Sequence, residues 1–91
     1  MSNQGMITLF TNKSADGKNN ICGRNIAALR KEMGKSQREL SDELQRAGLD
    51  IDKNAVQRIE SGQRFVTDIE LVFLGTVLKT DINELLKQRS E

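Results

Sequence analysis

The chain has no histidine, tryptophan, tyrosine or proline, only three phenylalanines, and a single cysteine in 91 residues. Without histidine and with one cysteine, neither a His-dependent catalytic site nor an ordinary zinc site can be assembled within one chain. One thiol also excludes an internal disulfide, which suits a reducing compartment. Long apolar runs are missing too. The longest is Leu71-Val72-Phe73-Leu74, far short of the roughly 20 residues that a bilayer helix needs. The start, Met1-Ser2-Asn3-Gln4-Gly5-Met6, is polar and has no charged residue leading into an apolar stretch. Nor is there an excess of one sign of charge, since 14 Lys and Arg face 13 Asp and Glu for a net +1. What remains is 36% apolar and 30% charged, the composition of one small globular domain. A cytoplasmic location without membrane contact is the expectation.

The total charge conceals a distribution. Residues 1–22 carry two cations and one acid, residues 23–64 nine and seven, and residues 65–91 three and five. The middle segment is therefore modestly basic and the last one acidic.

Residues 1–22 read as a flexible N-terminal arm, rich in Asn, Ser, Gly, Thr and Lys, whose apolar cluster is Ile7, Leu9 and Phe10. Residues 1–5 can be read either as a vector remnant ahead of a native start at Met6 or as part of the arm. A weak hairpin is the competing reading, because Ile7 and Leu9 alternate and Asp16-Gly17 signals a turn. From Gly23 the apolar spacing changes to three and four, the helical period.

Ile26, Leu29 and Met33 mark a first helix, stopped at Gly34. Ser36-Gln37-Arg38-Glu39 is a capping box that opens a second helix, with Leu40, Leu44 and Ala47 on one face and Gly48 as its stop. Asp52 caps a third, Ile51 and Val56 have hydrophobic-staple spacing, Val56 and Ile59 form its inner edge, and Gly62 ends it. Thr67 with Glu70, and Val66 with Leu71, repeat both devices for a fourth helix that buries Leu71, Leu74 and Leu78. Asp81 caps a fifth, burying Ile82, Leu85 and Leu86 before it frays near Ser90. The expected fold is all-α, a compact bundle of five short helices over residues 23–91, with the arm outside it.

The third helix has an unusual outer face. With Val56 and Ile59 inward, Lys53, Asn54, Gln57, Arg58 and Ser61 lie opposite, and none of the five is acidic. A polar helix face is ordinarily a solvated face, but solvation alone would mix in acids. Asn and Gln can pair with adenine edges, and Arg or Lys with guanine edges, in the DNA major groove. Just upstream, Gln37 and Arg38 open the second helix, where free N–H groups and the helix dipole attract an anion such as phosphate. Two helices of this kind joined by a turn suit helix-turn-helix docking. Ser61-Gly62-Gln63-Arg64 adds donors for a phosphate backbone.

Here the sequence resembles the Cro and phage-repressor type of helix-turn-helix regulator, often called the XRE family. The matching segment runs from Ile26 to Leu86. It contains Ile26 with Leu29-Arg30, then Ser36-Gln37-Arg38-Glu39-Leu40, Val56-Gln57-Arg58-Ile59-Glu60-Ser61-Gly62, and Ile82-Asn83-Glu84-Leu85-Leu86. The resemblance implies a lambda-repressor-like domain that binds double-stranded DNA as a homodimer and regulates transcription, as a repressor, with no cofactor and no catalysis. It implies that Lys53, Asn54, Gln57 and Arg58 read bases. It implies that Ser36, Gln37, Arg38, Ser61, Gln63 and Arg64 contact phosphates, and that Gln37 also braces the first base-reading side chain. Arg30 and Glu60 stand where similar repressors have a structural ion pair.

Two departures from the family pattern bear on geometry. The stretch from Gln45 to Ile51 lengthens the end of helix two, the turn after it, or both. Lys79 and Thr80 replace the Gly and Val that commonly join the last two helices, which puts the angle of helix five in question.

Two other functional classes compete. Carboxylate pairs such as Asp42/Glu43 and Asp50/Asp52 read as caps and solubilising charges rather than an active site, and Cys22 has no histidine to activate it. The alternative to DNA binding is a protein-interaction module, an antitoxin-like or regulatory partner built on the same helices. Such a surface should expose an apolar anchor. Phe65 and Phe73 are its candidates, and both are expected in the core or at an interface.

Overall fold

The computed structural model describes residues 13–88. The apolar cluster Ile7, Leu9, Phe10 and the fraying expected near Ser90 lie outside the described residues. Five α-helices follow one another: α1 (Gly23–Glu32), α2 (Gln37–Ala47), α3 (Lys53–Glu60), α4 (Asp68–Val77) and α5 (Ile82–Leu86). No strand occurs among the described residues, and no helix there is long and apolar enough to cross a membrane.

Helix starts follow local chemistry. Ser36 and Thr67 form full capping boxes with Glu39 and Glu70, while Asp52 and Asp81 accept from the Ala55 and Glu84 amides. These contacts satisfy donors that a helix's first turn leaves open. Stops are equally local. After α1, α2, α3 and α4 the chain turns through a left-handed residue, at Gly34, Gly48, Gly62 and Lys79. Each closes with a pair of crossed backbone bonds, as in Gln63 N–H to the Arg58 carbonyl and Gly62 N–H to that of Ile59.

Ile26, Leu40, Leu44, Val56, Ile59, Leu74 and Leu85 are sealed in one core, with Leu29, Met33, Leu71 and Phe73 packed at its margin. Helix α3 touches α1 on one side and α2 on the other; α4 packs on α2, and α5 closes against α1 and α4. A Cβ at Gly23 would overlap the Ile59 carbonyl oxygen, so only glycine lets α1 begin directly against the end of α3.

Two burial expectations are corrected. Ala47 is exposed, and Ser41 is the buried small residue of α2, its hydroxyl donating to the Arg38 carbonyl. Ile82 and Leu86 are 37% and 38% exposed, because a five-residue helix resting on α1 and α4 turns only Leu85 fully inward. Phe65, expected in the core or at an interface, is 54% exposed in the single chain.

Both departures from the family pattern resolve plainly. α2 extends to Ala47 and a five-residue connection follows, closed by the Gln45 side chain donating to the Ile51 carbonyl at 2.8 Å. Lys79 takes the left-handed conformation (φ 58°), and Thr80 N–H reaches the Gly75 carbonyl, so α5 folds back as it would after a glycine.

Residues 13–22, which composition assigns to the arm, lie as a strap over the end of α3. Asn19 donates from its backbone to the Gly62 carbonyl and from its side chain to that of Gln63. Asn20 donates to the Ile59 and Arg64 carbonyls and accepts from Gly23 N–H, which serves the start of α1. The Asp16-Gly17 turn is present, closed by Gly17 N–H on the Ser14 carbonyl.

Candidate nucleic-acid interface

α3 presents its outer face as the residue spacing requires. Ala55, Val56 and Ile59 are buried, while Lys53, Asn54, Gln57, Arg58 and Ser61 are exposed on the opposite side. No acid interrupts those five. Asp52 stands at their amino-terminal edge and is engaged as the cap.

Beside this face lies the start of α2. Ser36 accepts from Glu39 N–H, so its oxygen is committed to the cap. The Gln37 and Arg38 backbone N–H groups, by contrast, have no partner among the described residues and stand at the positive end of the helix dipole. Arg38 is exposed. Gln37 is half-buried, and its Nε2 donates to Glu60 Oε1 at 2.9 Å, so its amide is braced from the core side rather than by a groove-facing residue.

Glu60 is the hub of this corner. It takes Nε and Nη2 of Arg30 at 2.7 and 3.0 Å, with both side chains about nine-tenths buried. Arg30 also donates to the Lys35 carbonyl at 2.8 Å, and its hydrogen bond to Glu60 raises an already high pKa. Gln37 thus reports the position of α2 to the end of α3 through one carboxylate. The pair named from the resemblance occupies the place where α1, α2 and α3 meet.

The loop after α3 is arranged differently from expectation. Ser61 and Gln63 are exposed, with the Ser61 hydroxyl turned back to the Arg58 carbonyl. Arg64 is not turned outward. Its Nη1 and Nη2 grip both oxygens of Glu70 at 3.0 Å each, and Nη1 also donates to the Phe65 carbonyl. The Arg64 hydrogen bonds hold the Glu70 carboxyl below its ordinary range. Bidentate geometry leaves the guanidinium with compensated charge and few open donors. No sequence period signals this pair, because six residues separate its members across a turn.

Three more polar side chains position this region without any strong pattern in the sequence that singles them out. The Asn25 amide is buried and donates to the Leu85 and Lys87 carbonyls, capping the end of α5. Asn19 and Asn20 of the strap hold the loop at the end of α3. An Asn-Asn pair just ahead of a helix start is a weak capping signal, and nothing local says which carbonyls it will meet. Cys22 is 2% exposed, and burial pushes its thiol up to about 11, so it is a packed thiol rather than a nucleophile.

The fold has counterparts among known proteins. Residues 26–85 match the family model described as helix-turn-helix. Among solved structures, the chain is similar to the restriction-modification controller protein C.AhdI from Aeromonas hydrophila. Identity is 33% and the TM-score 0.61, over 70% of this chain and 89% of that one. The fold also resembles a hypothetical transcription factor, NHTF, from Neisseria, at 22% identity and TM-score 0.64, over 75% of this chain and 72% of that one. No curated protein matches the chain.

Proposed function

The chain belongs to the helix-turn-helix family, and from that premise we propose that it is a sequence-specific double-stranded DNA-binding protein that represses transcription. The observation that carries this reading is the acid-free outer face of α3, where Lys53, Asn54, Gln57 and Arg58 stand exposed together. That face offers amide and cationic donors of the kind that pair with base edges in a major groove. The similarity to a restriction-modification controller protein supports a regulatory task. The interaction-module alternative is not favoured on α3, whose exposed face carries no apolar anchor.

Affinity would come from phosphates held by the α2 amino terminus at Ser36, Gln37 and Arg38, and by Ser61 and Gln63 after α3. Sequence preference would come from the four residues of the recognition helix. Arg64, paired to Glu70, would shape the loop rather than meet DNA directly. A domain of this size covers one half-site, so we read the working form as a homodimer with recognition helices about 34–36 Å apart, or a multiple of that.

Selection of duplexes from a random pool tests the reading. A palindromic consensus is the expected product. On that consensus, Gln57→Ala and Arg58→Ala should each cost roughly 1–3 kcal/mol and relax preference at one position per half-site. A pool that shows no enrichment would sink the proposal, and uniform weakening on all sequences would move these two residues to the phosphate set.

A further inference from the structure

The loop after α3 has lost one expected cation and gained another. The charge of Arg64 is balanced by Glu70 on one side of it. From the other side comes Lys18 of the strap, whose Nζ donates to the Ser61 carbonyl at 3.1 Å. The methylenes of Lys18 pack over Gly62 so closely that a Cβ there would overlap Lys18 Cδ. Gly62 is therefore doubly required, by its left-handed φ of 84° and by this contact.

Lys13 joins the same edge. Its Nζ donates at 3.0 Å to Asn19, the residue that holds the Gly62 and Gln63 carbonyls. Residues 13–24 contain three cations, Lys13, Lys18 and Arg24, against one acid, Asp16. Asp16 is itself engaged by Ser14 and lies 3.9 Å from Arg24.

We infer that this strap is a second phosphate-binding element of the DNA interface, in which Lys18, seated on Gly62, contacts the DNA backbone at the end of the recognition helix in place of Arg64. The inference rests on the DNA-binding function proposed above. The physical distinction between the two cations is charge compensation. An ammonium hydrogen-bonded to a neutral carbonyl keeps its full charge and has two further N–H donors. A guanidinium clamped on a carboxylate keeps its charge and open donors at Nε and Nη2, but that charge is already balanced by Glu70. Counterion release on DNA binding counts the cations that neutralise phosphates, so Lys18 contributes to it and Arg64 does not. The hydrogen bonds of Asn19 and Asn20 to the Ile59, Gly62, Gln63 and Arg64 carbonyls fix where that ammonium stands.

The test is the salt dependence of binding by the full chain to its selected duplex, with Tm measured alongside. Lys18→Met keeps the unbranched stem over Gly62 and removes the charge. It should lower the slope of log affinity against log salt by about one, and affinity about tenfold at 0.1 M salt. Tm and sequence preference should be unchanged, and Lys18→Arg should restore the slope. Arg64→Met should do the reverse, lowering Tm with the slope intact. A wild-type slope in Lys18→Met overturns the inference while leaving DNA binding in place. So does a slope lowered by Arg64→Met, and so does a fall in Tm that accounts for the whole affinity loss of Lys18→Met. Absence of salt-dependent duplex binding by the wild type would remove both readings together.

Discussion

Arg30 and Glu60 show how much one ionic contact can govern. Both side chains are about nine-tenths buried, and Glu60 also takes the Gln37 amide. Removing one partner strands the other charge in the interior, which costs roughly 3–5 kcal/mol. Arg30→Met and Glu60→Leu should therefore each destabilise by about that amount in urea denaturation, and the double variant by much less than the sum. Additive losses would show that each side chain acts through its own packing. Because Gln37 shares the carboxylate, Glu60→Leu should also weaken DNA binding beyond what lost stability explains. The residue identities here were readable from the resemblance alone. Nothing in composition or period links positions thirty apart.

At the scale of the element, the four turns that close α1 to α4 share one backbone path, and only the fourth lacks glycine. Lys79 holds φ 58° at that turn. A side chain in left-handed conformation costs about 1–2 kcal/mol, offset by the roughly 0.5–1 kcal/mol that glycine loses in chain entropy on folding. Lys79→Gly should stabilise the protein by about 0.5–1 kcal/mol and raise Tm by roughly 2–8 °C. A drop in Tm would mean that the lysine makes a compensating contact. Helix boundaries were the most legible feature of the chain, since capping boxes, staples and stops depend on neighbours within a few residues. Burial within the helices was less so. α5 has three apolar positions, but the geometry of its support lets one of them inside.

Across the whole molecule, the functional face and the exposed apolar residues lie on different helices. Ile69 and Val72 on α4, and Phe65 in the loop before it, are 65%, 55% and 54% exposed. From Leu71 to Leu78 the chain carries no charge. The homodimer proposed above would find its contact on these exposed apolar residues, since a two-fold interface brings the same patch of both copies together. Ile69→Glu should leave the monomer folded, because the residue is solvent-exposed, yet shift sedimentation from dimer to monomer and weaken binding to a palindromic site. Persistence of the dimer would place the contact elsewhere. The separation matters for function, since a dimer built on α4 leaves both α3 faces free.

By itself, the sequence determined what short-range chemistry controls: five helices, the starts of α2 to α5, the stops of α1 to α3, and an acid-free outer face on α3. Period and capping act within a turn or two, so they can be read without knowing the fold. Only the tertiary structure decided the long-range partners. It turned Arg64 onto Glu70, braced Gln37 on Glu60, set Asn25 at the end of α5, and laid residues 13–22 over the end of α3. Each of these choices depends on which backbone carbonyl or carboxylate arrives nearby after packing, and packing is a property of the assembled core rather than of any local stretch.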